Sequence, residues 1–159
     1  MSALADLGRT LADTRDHASW QEVHGDTIGS YAAGKFAKPG SVETYIRQIL
    51  TPRSFGGNAA TRSGVRWEPM LLAWAGAEPN SLFIHHPDER GFGATVDGTR
   101  GSVVVETKVK HNRIVDGPTP SEVRQMAWQL HCLPEYSAVD FTWGELVEDP
   151  SDPDGWRLR

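Results

Sequence analysis

Residues Ala94 to His111 read ATVDGTRGSVVVETKVKH. A turn-forming Val-Asp-Gly holds Asp97, and Gly-Thr-Arg-Gly then separates it from a run that carries Val103, Val104, Val105 and Val109. Period-two alternation along that run sets Glu106, Lys108 and Lys110 on one face, with Val105, Thr107 and Val109 on the other. If the two strands pair through GTRG, Asp97 and Glu106 come side by side. Two carboxylates at that range repel each other and bind protons more tightly unless a cation joins them. Oxygen ligands without sulfur or imidazole suit a hard ion such as Mg²⁺ or Mn²⁺. A lysine two residues on, facing the same way, can hold a water or offset charge on a phosphoryl oxygen, and metal plus lysine is the equipment for phosphodiester hydrolysis. The same residues also fit a plain solvated strand: Asp-Gly is a common turn, and Glu-x-Lys is common on exposed faces.

Outward from this stretch, SLFIHH and GFGATVDG precede the valine run as two further strands, forming a meander with turns rich in Gly, Pro and Asp. TPSEVRQMAWQLHCL follows it as a helix, with Thr119, Pro120, Ser121 and Glu122 as the start signal. SAVDFTWGELVE and GWRLR then form a terminal hairpin across Asp-Pro-Asp-Gly. On the N-terminal side, Leu4, Leu7 and Leu11 predict a helix over 3–20. HGDTIGSYAAG reads as a loop entering a short helix. Ser41 caps a helix from about Val42 that places Tyr45, Ile46, Ile49 and Leu50 together and stops before Pro52. TPRSFGGNAATRSG reads as a flexible loop, and GVRWEPMLLAWA (64–75) as a helix in which Pro69 belongs near the start or makes a kink.

The sequence has 159 residues with 38% hydrophobic and 23% charged content, which fits one folded domain. We divide it into N-terminal helices (1–60), a core (61–133) and C-terminal strands with an acidic tail (134–159). The order of elements predicts an α/β fold with a mixed sheet flanked by helices rather than a doubly wound one. No apolar run reaches the length of a membrane span, and the N-terminus lacks the pattern of a signal peptide. The single cysteine, Cys132, excludes an internal disulfide and a four-cysteine metal site, so a cytoplasmic setting is expected. Cys132 reads as a core residue. The net charge of −5 is carried by the segment 135–159, whose seven acids face only two arginines. By contrast 44–67 has four arginines and no acid, and 99–113 is net +3, so both could face phosphates.

The Asp-(eight residues)-Glu-Thr-Lys spacing of Asp97, Glu106 and Lys108 resembles the core motif of the PD-(D/E)xK nuclease superfamily. RSGVRWEP, with Glu68 four residues after Gly64, is similar to the helical glutamate motif of the lambda-type exonuclease or YqaJ-type phage recombinase family. EVRQMAWQLHCL resembles its glutamine helix, HHPDERGFGATVDG its Pro-Asp-Gly segment, and HGDTIGSYAAG its Gly-x-x-Ile-x-x-Ser segment. These matches run in order from about residue 20 to 133. The resemblance implies a restriction-endonuclease-like core and a Mg²⁺- or Mn²⁺-dependent exonuclease that acts on ends of linear duplex DNA, in phage recombination and within a host cytoplasm. A single-strand annealing protein and a homo-oligomer are the implied partners. It makes Asp97, Glu106 and Glu68 metal ligands with the Thr107 carbonyl, Lys108 the residue that positions the attacking water, and Gln125 a further site residue with Gln129 one turn on. Ser30 is implied as a contact to a terminal phosphate. Val96 stands where the family has proline, and Val23 and His24 where it has an arginine. An endonuclease or junction nuclease of the same fold is the alternative within this chemistry. A non-catalytic DNA-binding or assembly protein is the alternative outside it.

By charge, Arg47, Arg53, Arg62 and Arg66, with Lys110 and Arg113, are candidates for DNA phosphate contacts, or else solvated loop residues. His85, His86 and Asp88 lack the spacing of a zinc site, because adjacent strand residues point to opposite faces. Trp67, Trp74 and Trp128 are expected in the core, while Trp20, Trp143 and Trp156 are open between core and base stacking.

Overall fold

The computed structural model describes residues 3–49 and 59–159. A single 3-10 turn at Ala5–Leu7 leads to β1 (Thr10–Asp13), α1 (His17–Gly25), α2 (Ser30–Ala33), α3 (Pro39–Ile49) and α4 (Ala59–Ala75). Then come β2 (Glu78–Pro79), β3 (Leu82–His85), β4 (Gly93–Ala94), β5 (Gly98–Arg100), β6 (Val103–His111), α5 (Pro120–Cys132), β7 (Ala138–Glu148) and β8 (Trp156–Leu158). The strands form two sheets, β1-β3-β4 and β2-β5-β6-β7-β8. In the larger one β6 and β7 run parallel over nine paired residues and every other pairing is antiparallel. A parallel neighbour needs a long connection, and α5 supplies it. The mixed sheet flanked by helices agrees with the α/β, restriction-endonuclease-like expectation.

The expected helix over 3–20 does not form. Gly8 takes φ +66°, which ends the first turn, and Thr10–Asp13 pairs with β3 instead. Leu4 is nevertheless fully buried, so the leucine signal was a core signal assigned to the wrong element. Arg9 fixes this strand by donating to the carbonyls of His85 (2.6 Å) and Cys132 (3.0 Å) and to the Glu135 carboxylate (2.6 and 2.7 Å). The expected meander is also divided. The segment 93–100 leaves the small sheet after Ala94 and joins the large one at Gly98, so Asp97 lies between sheets rather than within a strand.

Helix α3 begins at Pro39, ahead of the expected cap at Ser41, because proline fits the first helical position. It buries Tyr45 but leaves Ile46 exposed. Helix α4 begins at Ala59, so 59–64, expected as loop, is helical, while 51–58 lies outside the described residues. Pro69 sits inside α4, where it cannot donate to the Val65 carbonyl. Both residues are exposed, so water can satisfy that carbonyl. Trp67 is buried as expected, but Trp74 is 79% exposed, because the sheet takes Leu71 and Leu72 from that turn.

One core cluster contains Leu4, Ile84, Ala94, Val96, Val104, Cys132, Leu133 and Tyr136, with Trp128 packed against it. Cys132 is fully buried, and burial pushes its thiol up to about 12. Among the described residues no helix is long and apolar enough to cross a membrane.

Candidate active site

The ladder of β5 on β6 pairs Gly98 with Val105, so Asp97, one step further, arrives beside Glu106. Glycine is required at 98: a Cβ there would sit 2.7 Å from the Glu78 carbonyl oxygen and 2.8 Å from Leu72 Cδ2. The Asp97 carboxylate accepts from Thr107 twice at Oδ2, from the backbone N–H at 2.6 Å and the hydroxyl at 2.8 Å. Thr107 thus anchors Asp97 through its N–H and side chain.

Glu106 lies at the centre and is 1% exposed. Its Oε1 accepts from Gln125 Nε2 at 2.7 Å and from the Lys108 ammonium, and its Oε2 accepts from Gln129 Nε2 at 2.5 Å. The two glutamines stand one helical turn apart on α5 and so reach one carboxylate. A capping box positions the helix: Thr119 Oγ1 accepts from the Glu122 N–H, and the Glu122 carboxylate accepts from the Thr119 N–H at 2.7 Å. Glu122 also accepts from Lys110 Nζ at 2.5 Å, which ties the helix start to β6.

Glu106 is raised to about 7 by burial and by repulsion from Asp97, against the pull of Lys108 and Gln129. Glu68, on α4, is also raised to about 7, by burial and then by Asp97 and Glu106. Burial pulls Lys108 down, but Glu106 and Asp97 outweigh it and the net direction is up. Glu68, Asp97, Glu106 and Lys108 therefore share one electrostatic site, assembled from α4, the β4–β5 link and β6.

Hard oxygen donors whose mutual repulsion raises two proton affinities fit a divalent cation such as Mg²⁺ or Mn²⁺ in chemistry. Among the described residues no three His, Cys, Asp or Glu side chains close on one point as a finished metal cage, and the positive charge against Glu106 is that of Lys108.

The other expected residues are dispersed. Ser30 opens α2 and is 7% exposed. Arg62 and Arg113 are exposed. Lys110 is paired with Glu122 as above, and Arg47 with Glu43 at 2.7 Å. Arg66 is held by Asp152 through two bonds of 2.6 Å and by Asp154 at 2.6 Å, and it stacks over Trp67. Arg53 lies outside the described residues. Charge counting found the positive segment and the acidic tail but not that they bind each other. Arg157 with Asp149 and Arg159 with Glu145 neutralise further tail acids. His85 and His86 diverge: His85 Nδ1 lies 2.6 Å from the His86 carbonyl oxygen, while the His86 ring stacks on His131. Trp20, Trp143 and Trp156 are all partly buried, and Trp156 packs edge-on against His111. The direct contact of Gln129 with Glu106 was signalled only by its four-residue spacing from Gln125.

Fold and site together define an α/β protein of restriction-endonuclease-like architecture with a cluster of carboxylates and one lysine. No protein-family model matches the chain, and no curated protein matches it. Among solved structures it is similar to an alkaline exonuclease (LHK-Exo) from Laribacter hongkongensis, with a TM-score of 0.62 and 20% identity over 89% of this chain and 80% of that one. The structure of LHK-Exo in complex with dAMP gives a TM-score of 0.56 and 21% identity over 88% and 78% of the two chains. At these identities the likeness establishes a shared fold.

Proposed function

We propose that the chain is a divalent-metal-dependent deoxyribonuclease that degrades linear duplex DNA from an end. One observation carries this reading: Glu68, Asp97, Glu106 and Lys108, drawn from three separate segments, share one electrostatic cluster on a fold held in common with an alkaline exonuclease. Glu68, Asp97 and Glu106, with the Thr107 carbonyl, are the residues that would hold Mg²⁺ or Mn²⁺. When bound, such an ion polarises the phosphoryl oxygen and lowers the pKa of a water ligand.

The remaining work belongs to the chain. Lys108 carries an ammonium against Glu106, with 30% of its side chain exposed, where it orients the attacking water and offsets charge developing on the phosphoryl oxygens. Gln125 holds the Glu106 oxygen that Lys108 also touches, so the carboxylate and the ammonium keep one relative geometry. Arg62 and Arg113 present exposed positive charge for phosphates. Arg66 and Lys110 join them only after exchanging their present ion pairs, and Ser30 only if its buried side chain is uncovered. A phage recombination setting, an annealing-protein partner and a homo-oligomer accompany this reading as proposals.

The test compares linear and closed circular duplex DNA incubated with the protein and Mg²⁺. Loss of the linear form alone supports an exonuclease. Cutting of closed circles replaces that with an endonuclease. Tight binding of both without cutting defeats the enzyme reading in favour of a DNA-binding protein.

A further inference from the structure

We infer that Gln129 is a positioning residue for Glu106, an internal amide that fixes the direction in which the carboxylate faces. This rests on the nuclease reading of the same site. Gln129 and Glu106 are 0% and 1% exposed, beside the fully buried Val104, Val105, Cys132 and Leu133. The Gln129 amide donates to Glu106 Oε2 at 2.5 Å, while its own Oε1 is buried with no hydrogen-bond partner among the described residues. The amide cannot be turned round to relieve this, because Oε1 would then face the carboxylate oxygen.

An unmatched buried acceptor works against stability, and a methionine of similar volume would fill the space without it. The gain that offsets this is the hydrogen bond to Glu106. Gln125, one turn earlier and less buried, holds the other oxygen together with Lys108. The two glutamines therefore fasten both ends of one carboxylate. Oε2 is committed to the interior, and Oε1 is left to Gln125 and Lys108. Without Gln129 the carboxylate is held at Oε1 alone, and its alignment with Asp97 and Glu68 is loosened. Gln129 acts through Glu106 and touches no substrate.

The experiment uses the full chain and its Gln129→Met variant, both stripped of metal, with Mn²⁺ binding measured by calorimetry and unfolding measured in EDTA. The variant should fold but unfold at or below the wild-type temperature, because the buried Glu106 Oε2 loses its donor, and its Mn²⁺ affinity should fall by ~10–100-fold, as when a partner that orients a ligand is removed. On linear DNA, kcat should fall with KM unchanged. A folded variant whose Mn²⁺ affinity is within twofold of wild type overturns the inference and makes Gln129 a packing residue. If Gln129→Met does not fold, Gln129→Leu takes its place under the same criteria. The wild-type arm judges the underlying reading separately. Mn²⁺ binding without DNA cleavage removes the nuclease and leaves the affinity comparison in force, and no Mn²⁺ binding overturns both.

Discussion

Replacing Glu68 by Gln should stabilise the metal-free protein at alkaline pH while weakening its response to metal. Glu68 is raised from 4.5 to about 7 by burial and by the Asp97 and Glu106 carboxylates. In the unfolded chain a glutamate ionises near 4.3. In the folded chain ionisation is resisted, so the fold loses stability as pH rises from the unfolded value to about 7, and the loss is complete above that. At ~1.4 kcal/mol per pKa unit this interval sets a ceiling of ~4 kcal/mol. Glu68 is partly exposed and screened by salt, which brings the expected penalty to ~1–2 kcal/mol. Glutamine has the same shape without the charge, so the variant escapes that penalty. In EDTA the two proteins should unfold alike at about pH 4, where the unfolded glutamate is still largely protonated. At pH 8 Glu68→Gln should unfold higher by ~2–8 °C, taking ~2–4 °C per kcal/mol for a chain of this size. Adding Mn²⁺ should then raise the wild-type midpoint more than that of the variant, because a ligand stabilises only the state that binds it. The assay is thermal unfolding at the two pH values, with EDTA or Mn²⁺. A variant that shows the pH dependence of wild type, or is less stable at pH 8, would refute the placing of Glu68 among the repelling carboxylates.

Three further outcomes are expected. Lys108→Met should lower kcat on linear duplex DNA by ~10²-fold or more while DNA binding is retained, and unchanged turnover would remove Lys108 from the mechanism. Glu122→Ala should cost ~1–2 kcal/mol in urea unfolding at pH 7, through loss of the capping box and of the Lys110 contact. Burial pulls Glu122 up, but its bonds from Lys110 and Thr119 outweigh this and hold it below its ordinary value. That stabilisation is present above the unfolded value and is lost as pH falls through the folded one, so wild type and variant should converge in acid. Asp152→Asn combined with Asp154→Asn frees Arg66, whose hydrogen bonds hold Asp152 below the usual carboxylate range. Anisotropy titrations with labelled duplex at two salt concentrations should show tighter binding and a steeper salt dependence, by about one phosphate contact. Equal slopes would show that Arg66 does not reach DNA.

The strand carrying Glu106 and Lys108, the α5 helix with its capping box, and the terminal hairpin were legible because each is written in contiguous residues: alternation, a Thr-x-x-Glu cap, an Asp-Gly turn. The turn and the strand alternation place Asp97 beside Glu106, whereas Glu68 and Gln125 are named only through the resemblance to a nuclease family. The sequence by itself thus determined the mixed α/β class and the pairing of Asp97 with Glu106.

Only the tertiary structure decided the rest. Leu4, Leu7 and Leu11 follow a helical spacing, but Gly8 and the free edge of β3 turn that segment into a strand. Trp74 reads as core, but the sheet accepts only one stripe of α4. Arg66 reads as a phosphate ligand until the hairpin folds back and brings Asp152 and Asp154 to it across more than eighty residues. Likewise the bond from Gln129 to Glu106 exists because α5, packed against β4 and β7, brings Gln129 to the β6 carboxylate. Local propensity acts over a few residues, whereas burial and charge pairing are settled by whatever the whole chain brings into contact, and no pattern read along the sequence contains those distances.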